Sequence, residues 1–318
     1  MKTGHICHKL LFAHYLKDVN SNPNGNGSFP NEIRGVSNSP LKLRVPNVIH
    51  HFWQGAPNAF LKHAGNLNKT AKMNPKYDVQ LHVLSENKKD LSVFNNNLIG
   101  VKVLDMEKEG WYQNFRASER CVQFDASRLG PRPHLASGAD IIKTELLASE
   151  GGVWNDVDNN PVSSLPETIV VDKNQILTAG PVTFLKWGKE EGVHSSTLAT
   201  HKDNNLLKEI NKKSLSNFNE VKDTIYKVNS QTDNPEEHFR LVSQTAGSLH
   251  LSRELAARVE GHKESVHALI ENGEKFNDQS IIMDKYFTPV ASTGSGTWDE
   301  EQARTFLEMI SPPGHVVI

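Results

Sequence analysis

Cysteine is nearly absent from this chain: Cys7 and Cys121 are the only two. That excludes a disulfide scaffold and fits a reducing compartment at the place of action. No run of about 18 apolar residues occurs, so no segment has the length of a membrane-spanning helix. Neither sign of charge is in excess, with 35 Lys+Arg against 37 Asp+Glu. A domain built to grip nucleic acid carries a strong basic surplus, so that class is disfavoured. No glycine-rich fingerprint follows the first expected strand, which argues against a dinucleotide fold. No HExxH or CxxC pairing is present, and His50 and His51 are strand neighbours that face opposite sides, so a zinc site is not expected. No internal repeat is visible.

What is present suits one large α/β domain or two small ones in 318 residues. Apolar residues make up 37% and charged residues 23%, which permits a sizeable core. The opening MKTGHICHKLLFAHYL reads as a short helix rather than a cleaved signal peptide, because His5, His8, Lys9 and His14 interrupt its apolar run. Residues 17–44, rich in Asn, Ser, Gly and Pro, read as a flexible linker. The expected organisation is therefore an N-terminal helix and linker over 1–44 and a compact domain over 45–318, with a helical subdomain at about 204–277.

Val45 to Trp53 reads as a buried first strand, closed by Gln54-Gly55. A helix over Pro57–Met73, an alternating strand over Tyr77–Leu84, a helix from Asn87 and a short strand over Val101–Leu104 follow. This β-α-β-α-β order predicts a parallel, Rossmann-like sheet. A helix starting near Ser137 is stopped by Gly151-Gly152, and Val153–Val157 is the next strand. Further strands are expected at 169–171, 176–177 and 182–187, and residues 200–275 read as mainly helical.

The sharpest motif is Gly151-Gly152-Val153-Trp154-Asn155-Asp156-Val157-Asp158. Two carboxylates at i and i+2, where a strand leaves the sheet, can approach one hard cation. Turns are also rich in Asp for local hydrogen-bonding reasons, so a bare DxD has a purely structural reading. Asp156, Asp158, Asn160 and Glu167 fit part of a calcium loop. Pro161 replaces its turn glycine, however, and a strand precedes it where a helix is needed.

The segments Ala136-Ser137-Gly138-Ala139-Asp140-Ile141-Ile142-Lys143 and Glu150-Gly151-Gly152-Val153-Trp154-Asn155-Asp156-Val157-Asp158 resemble the sugar-nucleotide core of bacterial glycosylating toxins. These include the clostridial large glucosylating toxins and the Photorhabdus type that glycosylates Rho GTPases on tyrosine. Their pattern is an Ala/Ser-rich helix start, Asp-x-x-Arg, then Gly-Gly-x-aromatic-x-Asp-x-Asp. Val48 to Gly55 resembles the family's first strand, and Ser295-Gly296-Thr297-Trp298 its tryptophan-bearing closing loop. Lys143 stands where the family has Arg, and Trp154 where Tyr is usual.

The resemblance implies a GT-A fold, a mainly parallel sheet between helices, and retaining, Mn²⁺- or Mg²⁺-dependent sugar transfer from UDP-glucose or UDP-N-acetylglucosamine. It implies that Trp53 stacks on uracil, Asp140 and Lys143 contact the donor sugar, Asp156 contacts ribose and sugar and holds metal-bound water, and Asp158 ligates the metal. Ser295 and Trp298 then close over the β-phosphate. The implied acceptor is a host-protein hydroxyl, with a Rho-type small GTPase as one candidate, and the implied setting is a secreted or injected bacterial protein acting in host cytoplasm. A DxD transferase acting on polysaccharide or lipid, and a non-catalytic sugar- or metal-binding module, are the alternatives.

Several of these residues have a plain structural reading as well. Ser137 and Asp140 have capping-box spacing, Trp53 ends an apolar strand as core tryptophans do, and Trp298 precedes an expected helix over Asp299–Met309. Asp278 and His238 each fit a solvated helix start as well as a contact to substrate.

Overall fold

The computed structural model describes residues 32–34, 41–85, 87–130, 133–184, 189–225, 241–272 and 280–288. The expectations for Ser295, Trp298, Asp278, His238 and the N-terminal helix lie outside these residues. Two short strands come first, β1 (Glu32–Arg34) and β2 (Lys42–Arg44), followed by β3 (Val48–Gln54). Two 3₁₀ turns lead into α1 (Ala64–Met73); then come β4 (Asp78–Leu84), α2 (Asp90–Asn97) and β5 (Val101–Asp105). Three helices follow, α3 (Gly110–Arg116), α4 (Arg120–Leu129) and α5 (Leu135–Glu150). The next strands are β6 (Gly152–Asn155), β7 (Asn160–Pro161), β8 (Thr168–Asp172), β9 (Ile176–Phe184) and β10 (Glu190–Thr200). Helices α6 (Asn205–Ile225), α7 (Gly247–Arg258) and α8 (His262–Asn272) precede β11 (Phe287–Thr288).

Six strands form the main sheet in the order β5-β4-β3-β6-β10-β9. The first four run parallel, while β10 runs antiparallel to both of its neighbours, β6 and β9. The chain steps outward from β3 to β5 and then crosses back to place β6 on the other side of β3. That reversal makes a topological switch point beyond the carboxyl ends of β3 and β6, the usual ligand position in open α/β sheets.

Both faces of the sheet are covered, which explains why its strands read as nearly continuous apolar runs. Along β3, Phe52 joins one cluster with Ile141, Leu147, Trp154 and Leu198, while Ile49 and Trp53 face the opposite side. Strand β6 divides in the same way, with Val153 on one face and Trp154 on the other. A three-stranded sheet, β1-β8-β2, draws in residues from the stretch read above as linker.

Two differences from the sequence reading have clear causes. Strand β9 runs through Gly180-Pro181 rather than breaking there. It is an edge strand, where a proline without an N–H is tolerated. Strand β10, which the sequence reading did not anticipate, is polar and rich in Ser and Thr, and its pairing with β6 is set by tertiary context.

Candidate functional site

Helix α5 begins at Leu135, two residues before Ser137. His134 is its N-cap, its Nδ1 accepting from the Ser137 N–H at 3.3 Å. Histidine is not a favoured cap, so the start carried little sequence signal. Asp140 therefore lies inside the helix, and its carboxylate is not bonded to the cap. Instead Asp140 Oδ1 accepts from Lys143 Nζ at 2.7 Å and from Ser195 Oγ at 3.3 Å. Ser195, on β10, also meets Ser248 Oγ on α7 at 2.9 Å.

Strand β6 ends at Asn155, so Asp156 and Asp158 sit in the turn beyond it rather than on the strand itself. The Asn159 N–H closes that turn onto the Asp156 carbonyl at 3.1 Å, and the Asp156 N–H donates to the Ser196 carbonyl at 2.9 Å. Buried Asn159 Nδ2 donates to Asn155 Oδ1 at 2.8 Å and lies within hydrogen-bond distance of the Ser196 carbonyl and Thr197 Oγ1. The turn is thus fixed to β10 by backbone and amide bonds, which leaves its carboxylates for other work.

Asp156 Oδ1 accepts from the Trp154 indole N–H at 2.7 Å and lies 3.2 Å from Lys143 Nζ. Lys143 is 1% exposed, and its ammonium also lies 5.6 Å from the centre of the Trp154 ring. Burial opposes the lysine's charge, but Asp140 and Asp156 outweigh it and hold the ammonium above its ordinary value. Burial pushes the Asp156 carboxyl up to about 6; Lys143 and the indole oppose this, while Asp158 and Asp140 add to it. The Asp158 carboxylate forms no hydrogen bond or ion pair among the described residues.

No protein-family model matches the chain, and no curated protein matches it by sequence. Solved structures do resemble it. The PaToxG glycosyltransferase is 16% identical, over 83% of this chain and 88% of that one, with a TM-score of 0.55. The chain has a GT-A glycosyltransferase fold. The UDP-bound glycosyltransferase domain from the YGT toxin is 11% identical, over 84% and 78%, with a TM-score of 0.43. The catalytic domain of alpha-toxin from Clostridium novyi is 11% identical, over 83% and 76%, with a TM-score of 0.40.

Within this GT-A sheet, Asp140, Lys143 and Asp156 form one contiguous ionic cluster, with Asp158 in electrostatic reach of Asp156. Trp53 lies on the other face of β3. It is 7% exposed, edge-on to Phe60 at 5.4 Å and 6.2 Å from His63, and its indole N–H donates to the Ala56 carbonyl at 3.2 Å. Buried His63 feels the Asp158 charge, so this aromatic group borders the far side of the aspartate turn.

Sequence reasoning did not single out Ser195, Ser248 or His194. Burial and the Lys143 charge pull the His194 imidazole down to about 4, against the opposing pull of Asp140 and Asp158. Its Nδ1 accepts from the Ser196 N–H at 3.1 Å, so the neutral ring carries its proton on Nε2. None of the three belongs to a motif, and they reach the site only because β10 and α7 pack there. Among the described residues, Glu191, His267 and Glu271 also hold their ligand-type atoms within 4.8 Å of one another, as exposed side chains often do.

Proposed function

We propose that this chain is a retaining, metal-dependent glycosyltransferase that moves glucose or N-acetylglucosamine from a UDP-sugar to a hydroxyl of a host protein. The observation that carries this reading is the carboxylate cluster at the switch point of a GT-A sheet. Asp140 and Asp156 share one buried cation, Lys143, while the Asp158 carboxylate, whose charge reaches Asp156, has no hydrogen bond or ion pair among the described residues.

The residues fit a hard divalent cation. If all are ionised, the cluster is two charges short of neutral, and its free oxygens suit Mn²⁺ or Mg²⁺, which keep waters and take substrate phosphates as further ligands. Asp158 would ligate the ion and Asp156 would hold its waters; bound there, the ion supplies positive charge against the departing diphosphate. Lys143 fixes the Asp140 and Asp156 carboxylates in place. Asp140, steadied by Ser195, is placed to accept hydroxyl hydrogen bonds from the donor sugar. No side chain stands out as a covalent nucleophile, so attack occurs on the departing face and a UDP phosphate oxygen takes the acceptor's proton.

Trp53 and Lys143 are assigned to the nucleotide-sugar side, and Ser295 and Trp298 to its closure. A bacterial effector delivered into host cytoplasm, with a Rho-type GTPase as a candidate acceptor, is the biological setting this reading favours. The test is incubation with labelled UDP-glucose or UDP-N-acetylglucosamine, Mn²⁺ and host lysate. A labelled protein band is expected. Label in lipid or polysaccharide would assign the other acceptor class, and the absence of both transfer and donor hydrolysis would contradict the reading.

A further inference from the structure

A buried hydrogen-bonded chain runs from the start of α3 to the turn that opens β6. The Trp111 indole N–H donates to Glu109 Oε2 at 2.9 Å, and Glu109 Oε1 lies 2.7 Å from His82 Nδ1. His82 Nε2 lies 2.9 Å from His50 Nδ1, and His50 Nε2 lies 3.0 Å from the Gly151 carbonyl oxygen. Both imidazoles are buried. His82 is the only cationic partner of Glu109 among the described residues.

The protons in this chain can be counted from the contacts alone. Each of the three links needs one hydrogen between its heavy atoms: Glu109 to His82, His82 to His50, and His50 to Gly151. A carbonyl has none to give, so His50 Nε2 must carry one. Two neutral imidazoles beside an ionised carboxylate hold only two. All three links close only when the side chains share three protons, which makes the chain neutral overall. Burial foremost, and the nearby His82, hold the His50 pKa well below its usual value, so the third proton belongs to the Glu109–His82 pair. Losing it buries a net negative charge and sets two lone pairs face to face at one link.

The end of this chain fits the Gly151-Gly152 turn closely. A Cβ on Gly152 would come within 2.8 Å of His50 Nε2, and one on Gly151 would run into the Lys202 backbone. Both glycines have positive φ, 67° and 103°. Asp156 follows this turn by one short strand.

We propose that Glu109, His82 and His50 form a neutral three-proton strut that positions the Gly151-Gly152 turn and with it the aspartates of the donor site. The titratable groups facing it are His51 from β3 and the members themselves; Trp111 adds a fixed donor. The positioning role rests on the reading of Asp156 and Asp158 as the donor site, but the proton count does not.

The experiment uses the full chain. Imidazole ¹⁵N spectra near neutral pH, without ligand, are expected to show His50 Nε2 and His82 Nε2 both protonated; either nitrogen bare overturns the strut. UDP affinity in Mn²⁺ is then compared at neutral pH. Glu109→Gln keeps an acceptor for His82 Nδ1 but not the charge that completes the proton count, so the His82 Nε2 proton should be lost and UDP affinity should fall by at least about tenfold, while Glu109→Asp retains both. Unchanged affinity with that proton lost overturns the positioning role. If Glu109→Gln does not fold, His50→Asn cuts the chain at the turn itself, and unchanged UDP affinity there overturns it equally. Wild-type protein that binds no UDP at any pH, with the three protons present, would sink the donor-site reading and leave the strut standing.

Discussion

Lys143 stands between Asp140 and Asp156, 2.7 Å from the first and 3.2 Å from the second, and so ties helix α5 to the turn after β6. The ion pairs are nearly dry, since Lys143 is 1% exposed. Removing one member of such a cluster leaves like charges unscreened in a poor solvent. Lys143→Met should therefore lose about 3–5 kcal/mol of stability by denaturant unfolding. A loss below about 1 kcal/mol, the value of an exposed pair, would contradict the burial argument.

Asp158 differs from its neighbours because its carboxylate makes no hydrogen bond or ion pair among the described residues. Asp158→Asn should change stability by no more than about 0.5 kcal/mol while donor turnover falls by at least about 100-fold. Thermal melting and UDP-sugar hydrolysis, measured on the same preparation, check the pair of outcomes. Turnover retained at the wild-type level would remove Asp158 from the site.

Acid should destabilise the protein through its buried histidines. His51 is buried, and burial foremost pulls its pKa down to about 3 against the opposing pull of a backbone hydrogen bond at Asn155. Its folded pKa lies below the unfolded value of 6.5, so the unfolded chain binds more protons in that interval. The contribution is whole above the unfolded value and is lost as the pH falls toward the folded one, by at most about 5 kcal/mol. Asp156, held up to about 6, works the other way. Urea midpoints across this range should fall with acid, less steeply in His51→Gln and more steeply in Asp156→Asn.

The β3–α5–β6 frame of the site was legible because its signals are local. Apolar β-branched runs marked the strands, and Gly151-Gly152 marked the helix stop and the start of β6. The partners of Asp140 were not legible, because Ser195 is 55 residues away in sequence. Strand β10 carries no apolar alternation to announce it. Asp156 was misread as strand because Val157 continues the alternation past Asn155, where pairing ends; Asp158 was read in the turn, where it lies. The histidine strut was hidden for a related reason: His50 and His82 meet only through the parallel pairing of β3 with β4.

Calorimetric titration of UDP into the protein, in Mn²⁺ and then in chelator, tests the central claim most directly. Mn²⁺ should tighten UDP binding by at least about tenfold in the wild type, and the difference should vanish in Asp158→Asn. Equal affinity with and without the ion, or undiminished coupling in the variant, would contradict a shared metal–diphosphate site at these aspartates.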